Sequence, residues 1–554
     1  MRRLAPAPRQ DVRQGAVRPR VVVLGGGYVT ITLTRRLRRL VERGAVDVTV
    51  VSRENFHAFH GFVGEMITGR IAPSSMLSPV RRVFAPARVH VAEIEQVDLD
   101  RRVVVTSRHL DGARQELAYD HLVFALGSAE HLELYPGLAE HAFRLKTYSD
   151  CFRLKNHILE MFELADIEPD PEERKRLLTF FVAGGGYAGA EIAGELADFV
   201  RLLTKRDYPS IRRDECRVVL VHRGATILPE LYGNGSVEGQ GRGRGYTKLV
   251  DYATRHAQKL GVELMLETEV TAVTPNEVHL SGGVQVPTRT IVSAIGTKPP
   301  PLFDTLDLPR DSRGRLRTDA HLQVLEHPNL WAGGDCASVP HPDGGTCPPV
   351  GIFALKHGKL IGRNIARTIE AGKLASFKYS GLAQGVSLGR RAAVGEVKGV
   401  PVRGLPAWIL WRSILFYFFP SWDRRLRLLA DWMIWPLVGR DVVWLWRDKG
   451  ADYEVRHNLF QPGETIVDAA RPVRYVHIVL DGEVELRGAG TVLSAGPGDH
   501  LGRKRLQELE AALAVAKTVV RTISLREDEA NRLQDTLVSA APIVAKTGIF
   551  PIQR

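Results

Sequence analysis

Two glycine-rich turns of the same kind lie far apart in this chain, at residues 25–30 and 184–189. Each follows a short apolar run and precedes a segment with helical periodicity. Where a strand passes into a helix, glycines let backbone N–H groups approach a pyrophosphate. Two such turns predict two bound dinucleotides, as in a flavoenzyme that takes hydride from a nicotinamide.

The composition is that of a globular chain with several domains: 554 residues, 44% hydrophobic and 25% charged, with a net charge of +12. The first 20 residues are rich in arginine and lack the apolar segment of a signal peptide. We therefore expect a disordered basic arm at 1–17. No basic-aromatic nucleic-acid module is present. We therefore expect the positive charge to serve an anionic membrane surface, and we expect no nucleic-acid partner.

The four cysteines have no paired spacing, which argues against a disulfide framework, a metal centre or a redox dithiol. No apolar run reaches the ~20 residues that span a bilayer. Residues 233–245 are rich in glycine and arginine and predict a mobile loop.

An internal duplication sets the fold class. The strand–turn–helix–strand pattern of residues 18–55, with its helix at 31–43, returns at 178–223. A helix is expected at 147–165, and residues 88–127 and 262–296 are rich in strands. These patterns predict an α/β fold with two Rossmann-type domains.

The composition changes after residue 400. Seven of the eight tryptophans fall within 408–446. From about 453, turns of Pro-Gly and Asp-Gly type separate short apolar runs, which predicts a small β domain. Residues 503–540 favour helix, with one β-like stretch near 517–525.

These segments together resemble the type II NADH dehydrogenases, single-chain flavoenzymes that pass electrons from NADH to quinone without pumping protons. The resemblance covers about residues 20–447 and rests on motifs at 21–28, 48–57, 119–128, 183–196, 331–337, 387–390 and 393–397. It implies FAD and NAD(P)H as cofactors, quinone as acceptor, and a C-terminal membrane-binding region.

The resemblance also implies a domain order. The FAD-binding domain takes 18–145 and 298–380, and the inserted NAD(P)H-binding domain takes 146–297. A membrane-binding region follows at 381–450, and an extension occupies 451–554.

The flavin site implied by the family differs from the usual pattern at two positions. Thr30 stands where a third glycine is usual, and Ser52 stands where an acid meets the adenosine ribose, which gives a weaker contact than a carboxylate. The residues implied for FAD are Gly25, Gly27, Tyr28, Ser52, Arg53, Ala125, Gly127, Gly334 and Asp335.

The nicotinamide site has a complete glycine fingerprint, but its second strand ends differently. NADH-specific members usually have glutamate where this chain has His222, and Arg223 suits a 2′-phosphate, so NADH and NADPH both stay open. Glu191 is implied in proton handling, or else serves as a carboxylate at the start of a helix. The residues implied for the nucleotide are Gly184, Gly186, Gly189, His222, Arg223 and Gly296.

The acceptor site is the sharpest departure from the family. Ile352 and His357 stand where glutamines are expected. His357 is a candidate proton donor to reduced quinone, with a surface histidine as the alternative.

Residues 404–447 interleave tryptophans with arginines, which favours an interfacial helix pair whose cations contact lipid phosphates. The alternative is a helix pair packed on the core.

The extension resembles the cyclic-nucleotide-binding jelly roll at 460–466, 475–480, 482–485 and 496–502, but lacks the arginine for the cyclic phosphate. We expect a degenerate domain that binds no cyclic nucleotide.

The expected function is a peripheral NAD(P)H:quinone oxidoreductase on the cytoplasmic face of the membrane, and a homodimer is left open. Two alternatives remain. One is a flavin reductase with a soluble or sulfide-type partner, and its sulfide version would need Cys151 and Cys347. The other is a non-catalytic membrane-associated scaffold.

Overall fold

The computed structural model describes residues 18–109, 111–232, 246–443, 456–470, 475–488, 492–526 and 530. The predicted basic arm at 1–17, the predicted loop at 233–245, Trp444, Trp446 and nearly all of the chain beyond 526 lie outside the described residues.

The first part of the chain begins with a strand that is apolar on both faces and almost fully buried, as parallel strands covered by helices are. Its strands are Arg20–Leu24 (β1), Asp47–Ser52 (β2), Phe56–Ala58 (β3), Leu77–Pro79 (β4), Arg88–Val91 (β5), Glu93–Asp98 (β6), Val103–Ser107 (β7), Arg114–Ala118 (β8), His121–Phe124 (β9) and Ala129–Glu130 (β10). Its helices are Tyr28–Glu42 (α1), Val63–Ile67 (α2), Val80–Val83 (α3) and Leu138–His141 (α4).

The second part repeats the plan. Its helices are Tyr148–Ile167 (α5), Pro171–Leu177 (α6), Tyr187–Arg206 (α7), Pro229–Tyr232 (α8) and Thr247–Lys259 (α9). Its strands are Thr179–Ala183 (β11), Arg217–Val221 (β12), Val262–Met265 (β13), Val270–Val273 (β14), Glu277–Leu280 (β15), Gln285–Pro287 (β16), Thr290–Ser293 (β17) and Thr297–Lys298 (β18). Strands β13, β12, β11 and β17 form a parallel sheet in that order. A capping box between Thr147 and Asp150 sets the start of α5.

The chain then returns to the first sheet. The strands are Leu316–Arg317 (β19), Gln323–Val324 (β20), His327–Ala332 (β21) and Ala337–Ser338 (β22), followed by the helix Gly351–Ile369 (α10). The sheet order β20-β21-β9-β1-β2-β5 therefore joins strands from both ends of this region. Helix α10 packs closely along α1 because Gly358 is a glycine, and a Cβ there would overlap the carbonyl oxygen of Val29.

A small sheet and two helices follow: Ala383–Ser387 (β23), Ala393–Val397 (β24), Val400–Arg403 (β25), Gly404–Phe418 (α11) and Trp422–Val438 (α12). We call α11 and α12 the hairpin. Among the described residues, no helix combines the length and the apolar character that crossing a bilayer requires.

The C-terminal unit contains Arg456–Phe460 (β26), Thr465–Asp468 (β27), Tyr475–Asp481 (β28), Val484–Gly488 (β29), Val492–Ala495 (β30), His500–Leu501 (β31), Arg503–Glu508 (α13), Ala511–Ala516 (β32) and Val520–Arg526 (β33). Two four-stranded antiparallel sheets, β26-β33-β28-β31 and β27-β32-β29-β30, enclose their own core. The helix expected from residue 503 ends at Glu508, and the alanine-rich run that follows is a strand. Pairing with β27 and β29 overrides its helical propensity.

Candidate functional site

The first glycine turn joins β1 to α1. Gly25 has φ +110°, and a Cβ there would overlap the carbonyl oxygen of Ala125 at the end of β9. At Gly27 the nearest such atom is 3.9 Å away, so the N-terminus of α1 is open. The turn therefore has the conformation and the free space that a dinucleotide pyrophosphate requires.

Thr30 closes this turn in place of the third glycine. Its hydroxyl donates a hydrogen bond of 2.5 Å to the carbonyl of Gly25, and the side chain is fully buried. At the corresponding position of the second turn, a Cβ on Gly189 would overlap the carbonyl oxygen of Gly184. The two turns thus place their helices differently, and the first needs no glycine there.

The two residues predicted for the adenosine ribose are engaged with the protein itself. Ser52 ends β2, is buried, and donates to the carbonyl of Glu54 at 2.8 Å. Arg53 is exposed and pairs with Glu93 at 2.7 Å. To bind the adenosine ribose, Ser52 or Arg53 would have to break its present contact and form a new one to a ribose hydroxyl.

Asp335 lies in a short turn at the end of β21, beside the first glycine turn. It does not cap the next helix, since α10 starts only at Gly351. Its half-buried carboxylate has no hydrogen-bond or ion-pair partner among the described residues and is free to accept from a ligand. Gly334 has φ +77° and Gly127 has φ +70°, with open space around the latter.

Two residues beside this site were not expected from the sequence. His57 is buried and donates from Nδ1 to the carbonyl of Gly26 at 3.1 Å, and burial lowers its pKa to about 4. The backbone N–H of His60 donates to the Tyr28 hydroxyl at 3.2 Å. Only the resemblance motif at 48–57 touched this segment, because a histidine beside phenylalanines gives no separate signal.

His357 lies in the core and not on a helix surface. Its Nδ1 accepts the backbone N–H of Gly334 at 3.1 Å, and burial lowers its pKa to about 3. A neutral ring is favoured, whereas the predicted proton donation to reduced quinone requires an imidazolium. The geometry makes His357 a support for the turn that presents Asp335.

Ile352 and Lys356 share one face of α10, because they are four residues apart. Ile352 is half-buried, and the Lys356 ammonium lies 4.9 Å from the centre of the Tyr379 ring. Helical spacing from Ile352 is the sequence signal that could have placed Lys356 on this face. The same spacing places His357 on a different face of α10.

The second glycine turn joins β11 to α7. Gly184 has φ +109°, and a Cβ there would overlap the carbonyl region of Ala294 after β17. His222 follows β12, and its Nδ1 accepts the backbone N–H of Gly185 at 3.3 Å. The imidazole therefore packs on the turn, at the place where a ribose-binding acid is usual.

The other predicted nucleotide residues lie at the rim. Arg223 and Gly296 are both exposed, and Arg223 has no ion pair with any described residue. Glu230 on α8 was not expected from the sequence. Its carboxylate accepts the backbone N–H of Tyr187 at 3.4 Å and lies against Gly186, so it stands at the N-terminus of α7.

Glu191 on α7 sits in a group of carboxylates. Burial raises its pKa well above the usual value, and the negative charges of Glu195 and Glu65 raise it further. Arg70 neutralises Glu195 at 3.0 Å and also pairs with Asp198. Glu191 has no such partner among the described residues, so its protonated form is favoured.

The hairpin and the residues just after it, which include Arg440, use their arginines differently from the prediction. Arg412 is buried and pairs with Glu65 at 2.8 Å, and Arg440 pairs with Asp198 at 2.5 Å. Arg425 donates to the carbonyls of Tyr417 and Phe419. These three side chains do not extend toward lipid phosphates, because each is engaged by protein acceptors.

The outward face of the hairpin is apolar instead. Trp422 is 73% exposed and Leu437 is 84% exposed. The other exposed members are Leu405, Ile409, Leu410, Tyr417, Leu426, Leu429, Met433, Ile434 and Val438. A concentration of exposed apolar side chains of this kind marks a surface that contacts a membrane or a partner.

The cysteines are poor nucleophiles. Cys151, Cys216, Cys336 and Cys347 are buried and reduced, and burial raises the pKa of each thiol to about 12. Sulfide chemistry requires an accessible thiolate, so this environment disfavours a role for Cys151 or Cys347 in it.

Known proteins resemble this chain over most of its length. A demethylphylloquinone reductase of Synechocystis is 28% identical over 430 residues, which cover 76% of this chain and 97% of that protein. A type II NADH:quinone oxidoreductase of Mycobacterium tuberculosis is 27% identical over 445 residues, 77% of this chain and 90% of that protein. The structure of NDH2 from Plasmodium falciparum in complex with NADH superposes with a TM-score of 0.69 at 15% identity, covering 77% of this chain and all of that one.

Residues 19–355 match the family described as pyridine nucleotide-disulphide oxidoreductase, which is more than half of the chain. The matched region contains both glycine turns, the six-stranded mixed sheet, the four-stranded parallel sheet and the Asp335 turn. The α/β architecture with two Rossmann-like nucleotide-binding units agrees with this match. The chain therefore belongs to the pyridine nucleotide-disulphide oxidoreductase family.

Proposed function

We propose that this protein is an FAD-dependent NAD(P)H:quinone oxidoreductase that works at a membrane surface. The observation that carries the proposal is that one chain combines two glycine-lined turns with a hairpin that has an exposed apolar face. The Synechocystis and Mycobacterium tuberculosis relatives are both named for quinone reduction. Bound FAD supplies the chemistry that takes hydride from a nicotinamide and passes electrons to an acceptor.

The residues of the first site would hold the flavin dinucleotide. Gly25 and Gly27 leave the N-terminus of α1 open for the pyrophosphate, and the Asp335 carboxylate is free to accept from a hydroxyl. Tyr28, Ala125 and Gly127 line the same approach. Thr30 and His357 keep the two turns in place through their bonds to backbone groups.

The residues of the second site would hold NAD(P)H. Gly184, Gly186 and Gly189 allow the nucleotide to approach α7, while His222, Arg223 and Gly296 lie around the adenosine side. Because His222 replaces an acid, the repulsion of a 2′-phosphate is missing. Glu191, favoured in its protonated form, is our candidate to hold and release a proton near the reacting rings.

The hairpin would place the enzyme on the cytoplasmic face of the membrane as a peripheral protein. Its apolar face suits the interface between headgroups and acyl chains, where tryptophan and tyrosine are favourable. A lipophilic quinone would then enter from the bilayer. The buried cysteines disfavour the alternative in which the flavin reacts with sulfide.

The C-terminal unit is proposed to be a degenerate cyclic-nucleotide-binding-like domain that docks on the nucleotide-binding region. The backbone N–H of Leu459 donates to Nε2 of His141 at 3.0 Å, which ties β26 to α4. Calorimetric titration with cyclic AMP should give no heat of binding. A measurable affinity would contradict this part of the proposal.

An anaerobic experiment tests the enzyme function. The purified flavoprotein is reduced with NADH or NADPH, a short-chain quinone is added, and the flavin absorbance is followed. Bleaching followed by rapid recovery is expected. Bleaching without recovery would exclude quinone as the acceptor, and absence of bound flavin would favour a scaffold.

A further inference from the structure

The hairpin presents few free cations to a membrane, because its arginines are held by the protein. Arg412, and Arg440 just after the hairpin, are in buried ion pairs. Arg424 pairs with Asp423 at 3.3 Å and donates to the carbonyl of Ser74 at 2.9 Å. Arg427 is exposed. Any strong attraction to anionic lipid must come from another part of the surface.

Helix α1 supplies such charges beside the hairpin. Arg35, Arg36, Arg38 and Arg39 are all exposed, and none forms an ion pair with a described residue. Arg38 donates to the carbonyl of Ala85 at 3.3 Å, a neutral acceptor that leaves its charge uncompensated. We call these four residues the α1 arginine face. Arg43, one turn further on, is already paired with Glu370 at 2.7 Å. Glu42 and Asp423 are the acidic residues beside this face on α1 and α12.

The α1 arginine face meets the apolar face of the hairpin at Arg35. Arg35 donates to the carbonyl of Pro420, between α11 and α12, at 2.6 Å. Tyr417 and Trp422, on either side of Pro420, are 71% and 73% exposed. Burial, Arg425 and Arg38 together lower the pKa of Arg35, which shows that positive charges crowd at this junction.

We propose that the α1 arginine face is the electrostatic half of the membrane-docking surface and binds the phosphates of anionic phospholipids. The proposal rests on the proposed docking of the hairpin. The hairpin inserts apolar side chains, and the arginines beside it contact headgroup phosphates. A cation near an anionic bilayer attracts it within about one Debye length, ~8 Å at physiological salt, so only charges close to the inserted face contribute.

The test uses the full-length flavoprotein and two kinds of vesicle, phosphatidylcholine alone and phosphatidylcholine with phosphatidylglycerol. The variant combines Arg36→Gln, Arg38→Gln and Arg39→Gln, which keeps helix propensity. Its matched control combines Arg114→Gln, Lys175→Gln and Lys259→Gln, three exposed basic residues on β8, α6 and α9. Both proteins lose the same charge.

We expect the α1 variant to bind phosphatidylglycerol vesicles at least about tenfold more weakly, while the control binds as the parent does. Both should bind phosphatidylcholine like the parent and reduce a soluble quinone at the parental rate. Equal losses in both proteins would overturn the proposal in favour of overall charge, and no loss in either would overturn it outright.

A hairpin variant separates this inference from the docking on which it rests. Trp422→Ser with Leu426→Ser should weaken binding to both kinds of vesicle. If it changes neither, the hairpin does not dock and both ideas fail. If it weakens both while the α1 variant binds normally, only the role of the arginine face is wrong.

Discussion

Arg412 of the hairpin forms a buried salt bridge with Glu65 of α2 at 2.8 Å. The guanidinium also lies between two indole rings, 4.3 Å from the centre of Trp408 and 4.1 Å from that of Trp432. This pair ties the hairpin to the region that contains Glu191. Aromatic residues that look membrane-facing in the sequence are thus partly devoted to holding one cation inside the protein.

Replacing Arg412 by methionine should destabilise the protein strongly. The change leaves the Glu65 carboxylate buried without its partner, which typically costs about 3–5 kcal/mol. Thermal unfolding is the measurement, with the exposed Arg427→Met as the control that should unfold like the parent. Equal stability of the two variants would show that Glu65 is neutralised in another way.

Cofactor preference should follow the residue at position 222. His222→Glu places a carboxylate where it can accept from ribose hydroxyls and repel a 2′-phosphate. The ratio of kcat/KM for NADH over NADPH should rise at least about tenfold, a difference of ~1.4 kcal/mol. Arg223→Gln should lower kcat/KM for NADPH alone. An unchanged ratio in both variants would place the adenosine ribose elsewhere.

The native Glu230 carboxylate should weaken nucleotide binding. It stands at the N-terminus of α7, where it would repel the pyrophosphate expected there. Glu230→Gln removes this negative charge, worth about 0.3–1 kcal/mol at a helix terminus. The Kd of NADH, measured by titration of the flavoprotein, should therefore fall about two- to fivefold. Glu172→Gln on α6 is the control. Weaker binding by Glu230→Gln would show that the carboxylate contacts the nucleotide favourably.

His357→Phe tests the support of the Asp335 turn. Phenylalanine keeps an aromatic ring in the core but cannot accept the N–H of Gly334, which leaves a buried donor unsatisfied at a cost of about 1–3 kcal/mol. The variant should retain less flavin after purification. Because the pKa of His357 is about 3, its pH–rate profile near neutrality should match that of the parent. Loss of an ionisation near neutral pH would identify His357 as a proton donor.

Glu191→Gln should change how stability depends on pH. The pKa of Glu191 is raised in the folded state, so folding loses stability as pH rises from the unfolded value of the carboxyl toward the folded one. The variant lacks this loss. Its stability relative to the parent, measured by urea unfolding, should grow across that window and then level off. A difference that does not vary with pH would mean that the carboxyl is not perturbed.

Local patterns were enough to find the frame of the fold. The apolar run at 21–24 is a buried strand, and the helix expected at 31–43 begins slightly earlier, at Tyr28. The helix expected at 147–165 runs from Tyr148 to Ile167. These features depend on hydrophobic periodicity and on glycines at strand–helix junctions, and both are properties of neighbouring residues.

The sequence by itself also determined the family, because several motifs occur in the right order. It did not determine which way a polar side chain faces. Arg412 lies on a helix whose other face is exposed, and only the packing of α11 against α2 brings it to Glu65. His357 was a candidate proton donor to reduced quinone, with a surface position as the alternative, but the close approach of α10 to α1 buries it.

Long-range contacts decided the remaining details. The alanine-rich run at Ala511–Ala516 is a strand because two distant strands pair with it. Glu230 reaches the second glycine turn only because α8 folds back over it. Such contacts join residues far apart in the chain, and their free energy depends on a geometry that exists only once the domains have packed.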